Sequence, residues 1–329
     1  MKAAVLHALG QPPRCEDFPD PAAGPGEVIV RVHAASLKNV DKAIASGSHY
    51  HRHPDLPFVC GLDGVGVLDD GTRVFFGGSR PPYGMMAERS VVSRAWCVPV
   101  PDEVDDVSAA ALPNPALSSW LPLVWRAQLK PGETVVVLGA TGVAGQLAVQ
   151  IAKHLGAGRV VAAGRNRHVL DKLPALGADA IVALDQSDRE LTAAFVREAN
   201  QTPFDIILDY LWGHPTTVLL DALTGHDLNA ESSRTRLVEI GEMAGPTISL
   251  SAAALRSSGI EIYGSGGGGI PHAAIFDAFP NLWALAAGGK LRIDTEPVPL
   301  ADVESAWQRQ AGSGRRIVMI TQHAAPSDC

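Results

Sequence analysis

Residues 134–153 read TVVVLGATGVAGQLAVQIAK, and the fold prediction starts from this stretch. Its first five residues form an apolar, β-branched run, which is typical of a parallel strand buried on both faces. Glycines follow at three-residue intervals, at Gly139, Gly142 and Gly145, and apolar residues then recur at helical spacing. We therefore predict a strand, a glycine turn and a helix in direct succession.

This succession is typical of a nucleotide site. The turn lets the backbone approach the phosphates closely, and the helix N-terminus supplies N–H groups and a partial positive charge. The spacing differs from the GxGxxG fingerprint, so the prediction of a nucleotide site also depends on the sequence around the turn. We predict that a nucleotide pyrophosphate binds here, at Gly139, Thr141, Gly142, Val143, Ala144 and Gly145.

A second predicted strand, residues 159–163, ends in the sequence GRNR. A site that prefers NAD carries Asp or Glu at this end of the strand, where the acid binds the ribose hydroxyls. Here no acid is present, and arginine matches a 2′-phosphate in charge and in fork geometry. The alternative is that both arginines are solvated loop charges. We predict NADPH as the cofactor, bound in part by Gly164, Arg165, Asn166 and Arg167.

The composition is that of a globular protein, with 46% hydrophobic and 19% charged residues. A length of 329 residues suits two domains better than one. The formal net charge of −8 argues against nucleic acid or an anionic membrane as the main partner. No apolar run reaches membrane-spanning length, and no signal-peptide pattern precedes the first strand. The four cysteines contain no C-x-x-C pair, so no disulfide framework is indicated, and we expect a cytoplasmic protein.

Two different patterns divide the chain. Short strands separated by Pro, Gly and Asp clusters dominate the sequence up to residue 112 and predict a small antiparallel barrel, with one helix at residues 38–46. Beyond residue 107 strands alternate with helices, which indicates a parallel, doubly wound sheet. The tail is predicted to form a helix at 273–287, a strand at 296–298, a helix at 303–310 and a strand at 315–320.

Motifs along nearly the whole chain resemble those of the medium-chain dehydrogenase/reductase superfamily, most closely its zinc-free quinone oxidoreductase branch. Beside the glycine turn they are KNVD at 38–41, GLDGVG at 61–66, PGE at 131–133, LGAD at 176–179 and GRRIV at 314–318. The resemblance implies an α/β fold in which a Rossmann-type doubly wound parallel sheet, residues 116–269, is inserted into a GroES-like β-barrel catalytic domain, residues 1–115 and 270–329. It also implies a nicotinamide cleft between the domains, and a homodimer.

Metal-dependent members of this superfamily hold a catalytic zinc. In this chain the corresponding positions fall on Lys38, Leu62 and Asn114. None of these is a competent zinc ligand at neutral pH, so no metal is predicted. The segment 47–54, GSHYHRHP, contains three alternating histidines, but its composition favours a loop over a metal site because its arginine would repel a cation.

A reductase without zinc must stabilise the developing negative charge on the substrate oxygen with hydrogen bonds or a cation. Lys38 could polarise a carbonyl with its ammonium group, and the neighbouring Asn39 could donate an amide hydrogen bond. The alternative for Lys38 is a solvated charge at an exposed helix start. Asp41 is expected to orient its neighbours or to cap the helix. Tyr50 is a third catalytic candidate, as a proton donor or a stacking wall.

The resemblance implies further cofactor contacts. Ser118 matches a family Ser or Thr near the nicotinamide, although a helical serine bonded to its own backbone is an equal alternative. Gly241, Gly264 and Ser265 are expected to line the nicotinamide with backbone, and Arg316 is expected to approach the cofactor.

Together these features predict an NADPH-dependent oxidoreductase that transfers hydride to a quinone or an α,β-unsaturated carbonyl without zinc. The partner is a small-molecule substrate, and neither nucleic acid nor a membrane is expected to bind. A short-chain dehydrogenase needs Tyr and Lys four residues apart, and no tyrosine here has a lysine four residues later. The alternative from another class is an NADP(H)-binding redox sensor or moonlighting binding protein without significant turnover.

Overall fold

The computed structural model describes the strands and helices of residues 1–49, 55–224, 234–309 and 314–321. No helix within these ranges is long and apolar enough to cross a membrane. The strands are β1 (Lys2–Leu6), β2 (Arg14–Asp17), β3 (Glu27–Ser36), β4 (Phe58–Val59), β5 (Asp63–Leu68), β6 (Arg73–Gly77), β7 (Arg89–Ser93), β8 (Cys97–Pro99), β9 (Thr134–Leu138), β10 (Arg159–Gly164), β11 (Ala180–Ala183), β12 (Ile206–Asp209), β13 (Arg234–Glu239), β14 (Gly259–Gly264), β15 (Thr295–Pro299) and β16 (Arg316–Ile320). The α-helices are α1 (Asn39–Ser46), α2 (Asp106–Ala111), α3 (Pro113–Leu121), α4 (Val143–His154), α5 (Arg167–Leu170), α6 (Asp188–Gln201), α7 (Gly213–Leu223), α8 (Ala252–Ser257), α9 (His272–Ala287) and α10 (Val303–Gln308).

A largely antiparallel sheet unites the N-terminal third of the chain with its tail. The strand order is β15-β16-β3-β5-β6-β8, and β7 also pairs with β3. Strand β16 comes from the tail and places Val318 opposite Ser36 of β3. A smaller antiparallel sheet has the order β2-β1-β4. The predicted antiparallel domain and the return of the tail to it are confirmed.

The second large sheet is parallel, with the order β11-β10-β9-β12-β13-β14. Strand β9 has β10 on one side and β12 on the other, so the chain changes direction across the sheet at β9. Ligands of doubly wound sheets bind at such a switch point, beyond the carboxyl ends of the strands. The stretch that begins at β9 therefore lies where this architecture binds its ligand.

The two faces of β9 belong to two separate hydrophobic clusters, as a strand buried on both sides requires. Val135 and Val137 pack with Leu147 and Ile151 of α4. On the opposite face, Val136 and Leu138 pack with residues of α6 and α7, among them Phe195 and Leu219. Successive side chains of β9 point to opposite faces of the sheet, so this one strand packs against the helices on both sides of it.

Some elements have local features that the sequence analysis did not predict. Helix α3 ends at Leu121, and the chain continues in a wider π-type turn, Pro122–Arg126. Pro122 lacks the N–H that a continuing α-helix would need, which is why the change falls there. Strand β2 and helix α8 were not predicted, because both are short and neither has a clear apolar period.

The close approach of α4 to the preceding turn predicts the effect of a side chain at Gly145. A Cβ at this position would lie 2.3 Å from Gly139 O and 2.6 Å from Ala140 Cα. Because both contacts are with backbone, Gly145→Ala should destabilise the protein by about 1–3 kcal/mol through overpacking. Denaturant unfolding measures this change. Gly268→Ala is the matched control, because its Cβ would meet nothing within 4 Å; equal stability of the two variants would contradict the prediction.

Candidate active site

The glycine turn joins the carboxyl end of β9 to the first turn of α4. Gly139 has a φ of +90°, which glycine adopts without strain. Gly142 is the N-cap of α4, and no side chain from the described residues caps this helix end. The first N–H groups of a helix have no acceptor within it, so those of Val143, Ala144 and Gly145 suit an anion. The turn thus has the geometry of a phosphate site.

The end of β10 lies against the same turn. A Cβ at Gly164 would come within 2.4 Å of the Thr141 side chain, so any other residue here would force that side chain to move. The Arg167 guanidinium is already paired within the protein. It forms an ion pair with Asp185 at 2.9 Å and holds the pKa of that carboxyl below its usual range. Arg165 is exposed and makes no ion pair within the described part of the chain.

Asn166, between these arginines, caps helix α5. Its side-chain oxygen accepts the backbone N–H of Val169 at 3.3 Å. The four residues predicted at this corner therefore do different things: Gly164 permits the close contact, Asn166 and Arg167 are occupied within the protein, and Arg165 is presented outward.

The tail of the chain contacts the glycine turn directly. Gln146 Nε2 donates to Gly314 O at 3.0 Å, and a Cβ at Gly314 would lie 3.0 Å from Thr141 O. Two residues later, Arg316 Nη1 donates to Leu37 O at 3.0 Å. The turn, the start of β16 and the end of β3 are therefore held together at one place.

Arg316 has an unusual environment there. Its Nε is buried and has no hydrogen-bond partner within the described residues. Burial lowers the pKa of the guanidinium, and the negative charges of Asp41 and Asp63 oppose this shift. A buried N–H without a partner carries a desolvation cost, so this group is a candidate donor for a ligand.

Lys38 is buried, with 2% of the residue exposed. Its Nζ donates to Asp63 Oδ1 at 2.8 Å and to Ser36 O at 3.0 Å, and it lies 3.4 Å from Asp41 Oδ2. The alternative of a solvated charge at an exposed helix start is therefore wrong. An ammonium group has three hydrogens, and with Ser36 Oγ, also at 3.4 Å, four protein oxygens surround it. In this arrangement Lys38 does not present its charge to a substrate.

Asp41 completes this cluster and caps α1. It accepts the backbone N–H of Lys38 at 2.8 Å and that of Leu62 at 3.2 Å. Burial raises the pKa of the Asp41 carboxyl, and the Lys38 charge opposes that shift. The expectation that Asp41 orients its neighbours and caps the helix is confirmed.

Asn39, one residue beyond the cluster, is exposed and reaches toward the loop after β13. Its Nδ2 donates to Met243 Sδ at 3.5 Å, and Met243, on that loop, is 60% exposed. A thioether is a weak acceptor, so the amide can exchange this contact for a stronger one. Tyr50 lies outside the described residues.

The remaining predicted residues lie around the carboxyl edge of the parallel sheet. Gly241 follows β13 and donates its N–H to Asp209 O at 3.2 Å, and Ser265 follows β14 and donates to Glu239 O at 2.8 Å. Gly264 is the last residue of β14. Ser118 Oγ donates to Pro115 O at 2.9 Å, which is the backbone-bonded alternative considered for it.

Sequence reasoning missed the polar bridge made by Tyr210. Its hydroxyl is buried, donates to Ser118 O at 3.0 Å and lies 2.9 Å from Ser119 Oγ. Burial raises the pKa of this phenol, so it remains protonated. The bridge joins the end of β12 to α3. The sequence signal was a tyrosine directly after a buried strand, which does not identify a partner 91 residues away.

The residues at the zinc-ligand positions do not form a donor set. Lys38 is an ammonium in an ion cluster, and Leu62, 40% exposed, has no donor atom. Within the described ranges no group of three His, Cys, Asp or Glu side chains could hold a metal ion. Of the histidine triplet, His51 and His53 lie outside those ranges.

Comparison with known proteins agrees with this architecture. The family "Alcohol dehydrogenase GroES-like domain" matches residues 24–102, and "Zinc-binding dehydrogenase" matches residues 142–287. A protein of Emericella nidulans named a probable NADPH-dependent quinone reductase is 26% identical over 97% of this chain and 100% of its own length. Quinone oxidoreductase-like protein 2 of Rattus norvegicus is 28% identical over 68% of this chain and 64% of its own length.

A solved structure shows the same fold along nearly the whole chain. The quinone oxidoreductase from Thermus thermophilus, described with its NADPH complex, superposes with a TM-score of 0.79 at 29% identity and covers 97% of this chain and 100% of its own. The chain therefore belongs to the medium-chain dehydrogenase/reductase superfamily, in its quinone oxidoreductase-like branch.

The buried cluster predicts a large effect of removing the Lys38 charge. Lys38→Met would leave Asp41 and Asp63 without their cation, so the free energy of unfolding should fall by about 3–5 kcal/mol. Denaturant unfolding at pH 7 measures the loss. Replacing Asp63 as well, in Lys38→Met/Asp63→Asn, should regain part of it because one uncompensated charge disappears. A Lys38→Met protein as stable as the unmodified one would contradict the stabilising role of the Lys38 charge.

Proposed function

We propose that this protein is an NADPH-dependent oxidoreductase that transfers hydride to a quinone or an α,β-unsaturated carbonyl without a metal ion. The observation that carries the proposal is the uncapped glycine turn at the switch point of the parallel sheet, with Arg165 beside it. Two relatives are named NADPH-dependent quinone reductase and quinone oxidoreductase, and these names support the proposal. They give no support to the alternative of binding without turnover.

The residues present fit this cofactor. The N–H groups of Val143, Ala144 and Gly145 would bind the pyrophosphate, and the buried Nε of Arg316 needs an acceptor that a phosphate would provide. Arg165 would bind the 2′-phosphate. When bound, NADPH supplies the hydride, and the protein positions the cofactor against the substrate.

Asn39 is the residue we assign to the substrate oxygen. Its amide lies at the start of α1, its present acceptor is a thioether sulfur, and it reaches toward the loop after β13. A positioned amide donor stabilises negative charge that develops on oxygen during hydride transfer. Lys38, with its ammonium bonded to protein acceptors, would hold Asn39 in place. Tyr50 remains a candidate proton donor.

The same residues support the proposal of zinc independence. A cation already neutralises Asp41 and Asp63, because the Lys38 ammonium lies between them, and the neighbouring Leu62 offers no ligand atom. We further propose the domain division 1–115 with 270–329 and 116–269, a cytoplasmic location and a homodimer. Support for the dimer comes from β14, the last strand of the parallel sheet, whose Ile262 is exposed.

The first prediction from this function concerns cofactor preference. NADPH should bind more tightly than NADH, and Arg165→Asp should narrow or reverse the difference, because one charge-assisted contact contributes about 1.5–3 kcal/mol. Titration of intrinsic fluorescence with each cofactor measures both affinities. Arg94→Asp, which changes an exposed arginine of the antiparallel domain, is the control. Equal affinities in the unmodified protein would refute the 2′-phosphate assignment.

A second prediction concerns Asn39. Asn39→Ala should lower kcat by about 10²–10³-fold, since it removes one donor to the developing oxyanion, while the affinity for NADPH is retained. The assay follows NADPH consumption with a panel of quinones, enones, 2-alkenals and simple ketones. Ser46→Ala, at the far end of the same helix, is the control. Unchanged turnover in Asn39→Ala would remove this residue from the mechanism.

A further inference from the structure

Arg316 stands on a segment that contacts both the glycine turn and the end of β3. On one side, Gly314, two residues before it, packs against Thr141 of the glycine turn. On the other, the guanidinium donates to Leu37 O at 3.0 Å, and Leu37 directly precedes Lys38. The backbone is fixed here as well, because the Leu37 N–H donates to Ile317 O at 2.9 Å. The start of β16, which carries Arg316, is therefore held against both regions.

The guanidinium has bonding capacity that the described part of the chain does not use. An arginine carries five N–H donors. Within the described residues the buried Nε has no partner, and the negative charges of Asp41 and Asp63 act on the guanidinium. A carboxylate without a cation of its own would favour an ion pair with such a guanidinium.

Lys38 supplies the positive charge that pairs with these two carboxylates. Its ammonium lies 2.8 Å from Asp63 Oδ1 and 3.4 Å from Asp41 Oδ2, and Asp41 also accepts the backbone N–H groups of Lys38 and Leu62. The two acids therefore have a cation and backbone donors of their own. Among the residues that the structure describes, Arg316 donates to Leu37 O and to neither carboxylate.

We propose that Lys38 is a positioning residue for cofactor binding: its ammonium holds Asp41 and Asp63, and it thereby leaves the Arg316 guanidinium available to the pyrophosphate. This inference rests on the proposed NADPH function. Without the ammonium, the two carboxylates would compete with the pyrophosphate for Arg316. The buried lysine would then act on the cofactor through another residue and without touching it.

A double-mutant cycle on NADPH affinity tests this mechanism. The dissociation constant is measured by calorimetry for the unmodified protein, Lys38→Met, Arg316→Ala and the double variant. Lys38→Met should weaken NADPH binding about tenfold, as coupled charged residues do, but by less than about twofold in the Arg316→Ala background. Adenosine 2′-monophosphate, which lacks the pyrophosphate, should bind equally to all four proteins.

Further variants separate this mechanism from a simple loss of positive charge. Lys38→Met/Asp63→Asn should recover most of the NADPH affinity, because one competing carboxylate is neutral. Lys42→Met removes a cation from the same helix outside the cluster and should have no effect. If Lys38→Met does not fold, Lys38→Gln gives the same comparison, because it keeps hydrogen-bonding capacity without the charge.

The outcomes are distinct. Equal losses of affinity in both Arg316 backgrounds, no loss in Lys38→Met, or no recovery with Asp63→Asn would each overturn the role of Lys38. If the unmodified protein failed to bind NADPH, the proposed function itself would be refuted. Binding by the unmodified protein with no coupling between Lys38 and Arg316 would refute the inference alone.

Discussion

A buried ammonium between two carboxylates organises the candidate site. Lys38 joins the end of β3, the start of α1 and the start of β5 through Ser36, Asp41 and Asp63. Burying one of these charges alone would be very costly, and together they are tolerated because each finds a partner. The same cluster fixes the residues on either side of it. Asn39 follows Lys38 directly, and Arg316 is bonded to Leu37, which precedes it.

The tail of the chain connects the glycine turn with the region of Asn39, where we propose that the cofactor and the substrate bind. The antiparallel domain carries Asn39, and the parallel sheet carries the glycine turn. Gln146 of α4 holds Gly314, and β16 then continues into the sheet beside β3. Hydride transfer needs the two reactants within near-contact distance, so in the proposed function a direct link between the two sheets at this point would help to orient them.

The elements around the nucleotide turn were predictable because their signals are local. An apolar β-branched run, glycines at fixed intervals and a helical period need only neighbouring residues to be recognised. The cap of α5 by Asn166 is equally local, since it acts on an N–H three residues away, but the sequence analysis assigned Asn166 to the cofactor and did not predict the cap. The short elements without periodicity, β2 and α8, could not be recognised in this way.

Sequence patterns were enough to identify the two-sheet architecture, the glycine turn and the lack of an acid after β10, whereas the role of the Lys38–Asn39 pair stays a prediction. Folding in three dimensions was needed to show that Lys38 is buried, that Arg167 is bound by Asp185, and that Arg316 retains an unused donor among the described residues. The physical reason is the separation of the partners along the sequence. Asp63 is 25 residues from its partner Lys38, and Leu37 is 279 residues from its partner Arg316. Charge pairing at such separations is set by how the sheets pack, which no local pattern encodes.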